Sequence, residues 1–344
     1  MYSPIIIPTL NRFTHFKNCV DSLAGCTNAD KTELIIGLDY PPSEKYVDGW
    51  IKIKNYLLTV KGFYKVTVIE HEENLGAIKN FNFLIDYVLA RYDSFIFTED
   101  DNVFSPCFLD YITKCLSNYK FDKSVNAICG YSKITDFPAK NNTIKINADF
   151  VAWGFASTKN KYKELLDSIK PDYRRIVCNH NIKVFRLWNY EKLFLDFVNW
   201  LDNKDLDRPC DITFAISNII NCKYVVMSTI PMVRNMGYDG SGENCSDDGG
   251  LESKKIITDA SSYEMKVSDA SCIKEASLYI ANKRNDGMSR NEKIFAHKLM
   301  LISFLFGYNI MNFYRKRIHN RNILKYILKK LGCFDFVKSI IKGN

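Results

Sequence analysis

The feature that most constrains this chain is a regular alternation across its first 130 residues. Five short apolar runs, Ser3 to Pro8, Glu33 to Asp39, Tyr64 to Glu70, Ser94 to Thr98 and Val125 to Gly130, are β-rich and have the length of buried strands. Between them, Thr14 to Gly25, Ser43 to Val60, Ala77 to Arg91 and Pro106 to Tyr119 place apolar residues three and four apart, as in Phe81, Leu84, Ile85, Val88 and Leu89. Strands alternating with helices predict an α/β fold, a mostly parallel sheet flanked by helices that binds ligands beyond the carboxyl ends of its strands. Functional residues are therefore expected just after the strands.

Past about residue 140 the pattern changes. Thr143 to Ser157 reads as a β-hairpin, Lys159 to Ser168 and Asp211 to Asn221 as helices, Tyr224 to Ser228 as a strand, and Gly237 to Gly250 as a loop rich in Gly, Ser and Asp. From Asn291 the chain becomes a helical alternation of apolar and basic residues, a C-terminal helical extension. Its longest uncharged run, Leu299 to Phe313, falls short of the ~18–20 residues of a membrane span.

Composition narrows the function. With 47% hydrophobic, 25% charged and 14% aromatic residues, the 344-residue chain can bury a core and is not a disordered one. The net charge of +8 is concentrated from Lys283 onward, where fourteen Lys and Arg face only Asp286, Glu292 and Asp335, so the remainder is slightly acidic. No nucleic-acid module accompanies that basic tail, and no nucleic-acid partner is expected. Eleven cysteines without a C-x-x-C, and five histidines without ligand spacing, argue against a zinc site and for reduced thiols in a cytoplasmic protein. Met1 to Pro8 is too short for a signal-peptide core, and the sequons at Asn141 and Asn244 carry little weight outside a secretory compartment. The absence of G-x-x-x-x-G-K-[ST] and G-x-G-x-x-G removes the main support for kinase-like and dinucleotide-binding readings.

The sharpest chemical feature is FIFTEDDN, Phe95 to Asn102, an apolar strand running into Glu99, Asp100 and Asp101. Adjacent carboxylates repel one another, and placing them where a buried strand emerges is costly unless a cation or a polyhydroxyl ligand compensates. A hard divalent ion, Mn²⁺ or Mg²⁺, is the natural partner; a solvated acidic turn is the plain alternative. Continued strand alternation would put Glu99 and Asp101 on one face and Asp100 on the other.

Around this motif stand PTLNR (Pro8 to Arg12), a strand ending at Asp39, ENLGAIKNFN (Glu73 to Asn82), and EDD followed by Ser105-Pro106 and Phe108-Leu109. In these residues the chain resembles nucleotide-sugar glycosyltransferases of the GT-A fold, in particular bacterial family-two-like enzymes and inverting N-acetylglucosaminyltransferases with an EDD motif. The resemblance covers roughly residues 3 to 250 and implies a GT-A, Rossmann-like domain. It implies that Asp101 holds the metal, Asp100 the ribose hydroxyls and Glu99 the donor sugar. Thr9, Asn11 and Arg12 would line the nucleotide, or Thr9 or Asn11 caps the next helix, and Asp39 would accept a hydrogen bond from the base. Lys79 and Asn82, one turn apart near a helix start, would meet the diphosphate or donor. Trp153 and Gly154 would line the sugars, and Gly237, Asp239, Gly240 and Gly242 would form a mobile loop closing over the nucleotide.

An inverting transfer also needs a base for the acceptor hydroxyl. Asp211, in RPCDITFAISN, leads an apolar helix and is the first choice, with an N-cap as its plainer role and Asp202, Asp205 and Asp207 as competitors. The implied organisation is a catalytic domain over 1–250, divided into a nucleotide-binding half (1–130) and an acceptor half (131–250), and a helical basic extension over 251–344. The implied function is metal-dependent inverting transfer of a hexose or N-acetylhexosamine from a nucleotide-diphosphate donor, UDP-linked by expectation. The acceptor would be a glycan or lipid-linked molecule in surface polysaccharide synthesis. The basic tail suggests peripheral contact with anionic membrane at the inner face of the cell membrane, or oligomerisation through the extension. A nucleotidyltransferase and a non-catalytic sugar-binding or membrane-scaffold protein are the alternatives.

Overall fold

A computed structural model of the chain describes residues 2–147, 149–169, 173–202, 211–242 and 247–317. Asp205, Asp207, Asn244 and the basic tail from 318 onward lie outside the described residues. The chain order is β1 (Ile5–Thr9), α1 (Phe13–Ala24), β2 (Glu33–Leu38), α2 (Val47–Leu57), β3 (Lys65–Glu70), α3 (Gly76–Leu89), β4 (Ser94–Phe97), β5 (Asn102–Phe104), α4 (Phe108–Asn118) and β6 (Val125–Cys129). There follow β7 (Thr143–Ile146), β8 (Phe155–Thr158), α5 (Lys159–Ile169), α6 (Glu191–Trp200), α7 (Asp211–Asn221), β9 (Tyr224–Ser228), β10 (Val233–Asn235), α8 (Ala270–Arg284) and α9 (Arg290–Arg317).

Eight strands form one sheet in the order β3-β2-β1-β4-β8-β6-β9-β7. β1, β2, β3 and β4 are mutually parallel, and β6 runs parallel to β9. The central strands are apolar on both faces: Ile5, Ile6, Ile7, Leu34, Ile35 and Ile36 are fully buried. A strand covered by helices on both sides needs such continuous runs. Each side chain so buried contributes about 1.5–3 kcal/mol relative to exposure. β3 alternates exposed and half-buried residues because it is the sheet edge. The sequence pattern reaches the right strands and helices here within a few residues; the expected helix over 43–60 divides into a 3-10 turn at Glu44–Tyr46 and α2.

The hairpin expected over Thr143 to Ser157 does not form. β7 goes to the far edge and pairs with β9, whereas β8 inserts antiparallel between β4 and β6. Both segments are extended, as their residues require, but pairing is decided by what each face packs against. The segment leading into β8 passes through Gly154 at φ 69°. A Cβ there would lie 2.8 Å from Phe104 and 3.0 Å from Phe108.

A second sheet, absent from the sequence reading, pairs β5 with β10 antiparallel, Asn102 opposite Asn235. It brings the segment after β9 to the end of the acidic motif.

Part of the uncharged run in α9 serves as a packing face, while Ile310 and Phe313 in the same run are exposed. Ala296, Leu299, Met300 and Ser303 are buried at helical spacing, and α9 packs on α6. The stretch 290–316 is long and apolar enough to cross a membrane by composition, but Gly307, at φ 78° and ψ 180°, breaks the helix within it. A residue with a side chain is disfavoured at that φ.

Gly130, at the end of β6, tests how tightly the site's floor is packed. An added Cβ would sit 2.4 Å from Phe108 Cε2 and 2.7 Å from the Gly154 carbonyl oxygen. Gly130→Ala is expected to lower unfolding free energy by about 1–3 kcal/mol through overpacking. Urea denaturation with an unchanged m value would read it.

Candidate active site

The site is assembled at the carboxyl ends of β1, β4 and β6. β1 ends at Thr9 and the chain turns through Asn11 into α1, with α2 so close that a Cβ on Gly49 would lie 2.0 Å from the Asn11 carbonyl oxygen. Arg12 occupies the N-cap position of α1 without a side-chain cap. Neither Thr9 nor Asn11 caps that helix; Thr9 Oγ1 donates to Asp100 Oδ2 at 2.8 Å.

The strand alternation expected for the acidic motif stops at Phe97. Asp100 and Asp101 lie in a turn, and both face Arg12 instead of opposite sides of a sheet. The two terminal nitrogens of the Arg12 guanidinium divide between them, Nη2 pairing with Asp100 and Nη1 with Asp101 Oδ2 at 2.9 Å. Asn235 of β10 donates to Asp101 Oδ1 at 2.8 Å and accepts from Gly237 N at the same distance. Burial opposes the Arg12 charge, but Asp100 and Asp101 more than offset it and hold the guanidinium above the ordinary arginine range. Burial likewise pushes Asp100 up, with Arg12 pulling the other way.

The glycine-rich segment is docked on this cluster. A Cβ on Gly237 would meet Asp101 Oδ2 at 2.1 Å, and one on Gly242 would come 3.4 Å from Arg12 Nη1. Asp239 Oδ2 pairs with His15 Nε2 of α1 at 2.9 Å, and its carboxyl is pulled down to about 2 by hydrogen bonding to Ser241 and by His15. Gly240, at φ 78°, makes the exposed turn between these contacts.

Asp39 is buried and holds the entry to α3. It accepts from the backbone N–H groups of Tyr40, Leu75 and Gly76 at 2.8–2.9 Å and from Asn74 Nδ2 at 3.3 Å. Those bonds take up the acceptor capacity of its two oxygens. Lys79 and Asn82 stand exposed on α3, while Asn80 between them is buried, donating to the Gly37 carbonyl at 2.8 Å and meeting His71 Nε2 at 3.1 Å.

A second group lies toward α7. Asp211 opens α7, and the backbone N–H of Ala152 favours its ionised form. Burial pushes its carboxyl up from 3.8 to about 7, with Lys133 and Arg284 opposing and Asp149 reinforcing the shift. Glu99 is pushed to about 8, first by burial and then by Asp101, Asp211 and Asp100. Beside Ala152, Trp153 stands edge-on to Tyr131 at 4.7 Å and to Tyr238 at 6.0 Å, a half-buried aromatic wall. Asp202 is engaged elsewhere: it pairs with Arg315, with Lys316 at 3.3 Å, and accepts from Tyr308 Oη at 3.2 Å, all on α9.

The sequence reading missed Asn235, Tyr131 and the Lys133, Asp149 and Arg284 cluster. Asn235 had a signal, since it begins the NMG run whose glycine meets Asp101. Asp149 and Arg284 lie 135 residues apart, a separation at which local pattern gives none.

The sequence profile of the family described as "Glycosyl transferase family 2" matches residues 5–186, just over half of the chain. The chain belongs to glycosyl transferase family 2. No curated protein matches it in sequence. Among solved structures, similarity extends to Staphylococcus aureus TarS 1-349 (12% identity, TM-score 0.33, 48% of each chain) and to a longer TarS structure (14%, 0.32, 49% of this chain and 30% of that one). It also extends to the mannosyltransferase PcManGT from Pyrobaculum calidifontis, in complex with GDP-Man and Mn²⁺ (16%, 0.37, 64% of this chain and 70% of that one). The match thus spans less than half of each TarS structure.

The donor set of this family 2 chain suits a hard divalent ion. Asp100 and Asp101 offer adjacent buried carboxylates, and among the described residues no cluster of three His, Cys, Asp or Glu side chains closes into a cage. Such a pair fits an ion whose remaining ligands are substrate oxygens. Arg12 supplies the compensating charge in this structure.

The raised carboxyls make stability depend on pH. Between about pH 4 and 7 the folded chain binds more protons at Asp211 than the unfolded chain does, so its contribution to stability falls as pH rises through that window. Glu99 extends the fall to about pH 8. Asp211→Asn is expected to flatten the decline in urea midpoint between pH 4 and 7; an unchanged slope would make Asp211 an ordinary surface acid.

Proposed function

We propose that this chain is a metal-dependent, inverting glycosyltransferase that moves a hexose or N-acetylhexosamine from a nucleotide-diphosphate donor, UDP-linked in the first instance, to a glycan or lipid-linked acceptor. The observation that carries the proposal is the pairing of two unlike acidic centres: Asp100 and Asp101 clamped by Arg12, and Asp211 with a carboxyl at about pH 7 beside an aromatic wall. Membership of glycosyl transferase family 2 supports it.

In this reading the nucleotide lies over Thr9, Asn11 and Arg12, and Asp39 holds the adjoining Asn74–Gly76 turn. Asp100 meets the ribose, Glu99 the donor sugar, and Lys79 and Asn82 mark the outer rim of the donor site. Asp101 holds Mn²⁺ or Mg²⁺, which when bound offsets the charge of the diphosphate. Trp153 and Gly154 give the sugar ring an apolar wall and close backbone approach. Gly237 to Gly242 covers the Arg12 side of the cleft and excludes water.

Asp211 takes the proton of the acceptor hydroxyl as its oxygen attacks the anomeric carbon. The new C–O bond forms on the face opposite the leaving nucleotide diphosphate, which departs with the electron pair of the broken C–O bond. A carboxyl near the working pH is suited to this, being half ionised yet basic enough to accept the proton. Asp202, tied to three groups on α9, is a poorer base.

A screen of nucleotide sugars for hydrolysis and transfer, with the product anomer determined, tests the reading; no turnover with any donor would favour a binding or scaffold protein. Asp211→Asn is expected to lower kcat by about 10²–10⁴ with donor affinity nearly unchanged. Activity within a few-fold of wild type would reduce Asp211 to a helix cap. For the metal, calorimetry should show UDP binding weakened by EDTA and by Asp101→Asn; equal affinity with and without EDTA would remove the ion from the acidic pair. Peripheral association with anionic membrane through the basic tail belongs to the same proposal, and flotation with anionic vesicles at low salt checks it.

A further inference from the structure

The carboxyl end of α8 enters the site from beyond the stretch the family profile covers. Three consecutive residues there each meet a different part of the molecule. Lys283 pairs with Asp136 at 2.7 Å, Arg284 pairs with Asp149, and Asn285 Nδ2 donates to Glu191 Oε2 at 2.6 Å and to the Asn189 carbonyl at 3.0 Å. The outer two contacts fix the helix end, and so fix where Arg284 points.

Asp149 is fully buried. Its Oδ1 takes Arg284 and the Phe150 N–H, and Lys133 Nζ stands 2.9 Å from Oδ2 in ion-pair contact without hydrogen-bond alignment. One anion thus gathers two cations, leaving the triad with a net positive charge. From Asp149 the chain runs directly to Ala152, whose backbone N–H favours the ionised form of Asp211. Phe150 packs on Phe214 of α7 with ring centroids 4.5 Å apart. A single four-residue segment therefore couples the triad to the start of α7.

We propose that Lys133 and Arg284, gathered by Asp149, are positioning residues for Asp211, holding its ionised carboxylate in a site whose burial opposes the charge. The inference rests on the reading of Asp211 as the base. The charged and titratable groups facing Asp211 are Lys133 from the segment after β6, Asp149 after β7, Arg284 at the end of α8, Glu99 after β4 and Cys129 in β6. Residues 203–210, which precede α7, lie outside the described residues. Lys133 and Arg284 favour the carboxylate; Asp149, Glu99 when ionised, and burial disfavour it.

Because the triad contains both signs, its members make opposite predictions. The ¹³C titration of the Asp211 carboxyl, assigned by its loss in Asp211→Asn, reads the effect without donor or acceptor. Lys133→Met and Arg284→Met are expected to move the midpoint up by about one pH unit, Arg284→Lys to restore it, and Asp149→Asn to move it down. The acid limb of kcat should follow, so that below it Lys133→Met is roughly tenfold slower at fixed pH while the donor KM is unchanged. A general loosening of the fold would not produce shifts of opposite sign.

Lys133 has a side chain 42% exposed, so its variant should fold even where the buried Asp149→Asn does not, and it decides the matter alone. An Asp211 midpoint unmoved in Lys133→Met, or moved down, overturns the inference. If the titration shifts as stated and the kcat limb does not, the triad acts on Asp211 as inferred and it is the assignment of Asp211 as base that falls.

Discussion

The contact on which the site depends is the Arg12 guanidinium between Asp100 and Asp101. Two carboxylates on consecutive buried residues repel each other in a medium that screens poorly, and removing their cation would leave an uncompensated buried charge. Arg12 answers both at once because its planar fork places a separate nitrogen at each acid, whereas a lysine would bring a single nitrogen to both. Thr9 and Asn235 take the remaining oxygens. Three parts of the chain, the turn after β1, the end of β4 and the short strand β10, are thereby fixed to one another. The glycine at 237 follows from the same constraint, since the backbone after β10 passes too close to Asp101 for any Cβ.

How much of this was legible in the sequence divides along physical lines. Ile5 to Ile7 and Leu34 to Ile36 announce buried strands because continuous apolar runs have few other uses. The acidic motif was legible as a costly placement of charge. Its geometry was not, because the alternation that holds inside a strand lapses where the strand ends, and here it ends at Phe97. β7 and β8 were legible as extended segments but not as non-partners, since strand pairing is set by packing across the whole sheet. Arg284 and Asp149 were illegible for a simpler reason: neither has a local pattern that distinguishes it from a surface charge.

The two acidic centres differ in what balances their charge, and this difference separates their chemistry. Asp100 and Asp101 are answered by a full cation in direct contact, an arrangement that suits holding a charged ligand. Asp211 and Glu99 are shifted first by burial, which favours the protonated form near neutrality; the Lys133 and Arg284 charges oppose it at Asp211, and the neighbouring carboxylates reinforce it at Glu99.

The C-terminal helices pack into the same body as the candidate site. α8 delivers Arg284 to Asp149, and α9 stacks His297 on Trp188 at 3.9 Å while its buried stripe covers α6. The apolar character of α9 then has a structural use, because a face packed on α6 needs the same residues that a membrane span would. Gly307 sharpens the point: at φ 78° it interrupts the ladder of helical hydrogen bonds, and an interruption of that kind inside hydrocarbon would leave backbone groups without partners. Within the protein the Gly307 bend lies against Asn179, and a Cβ there would approach the Asn179 nitrogen to 3.3 Å. The break thus marks where α9 conforms to the domain it covers.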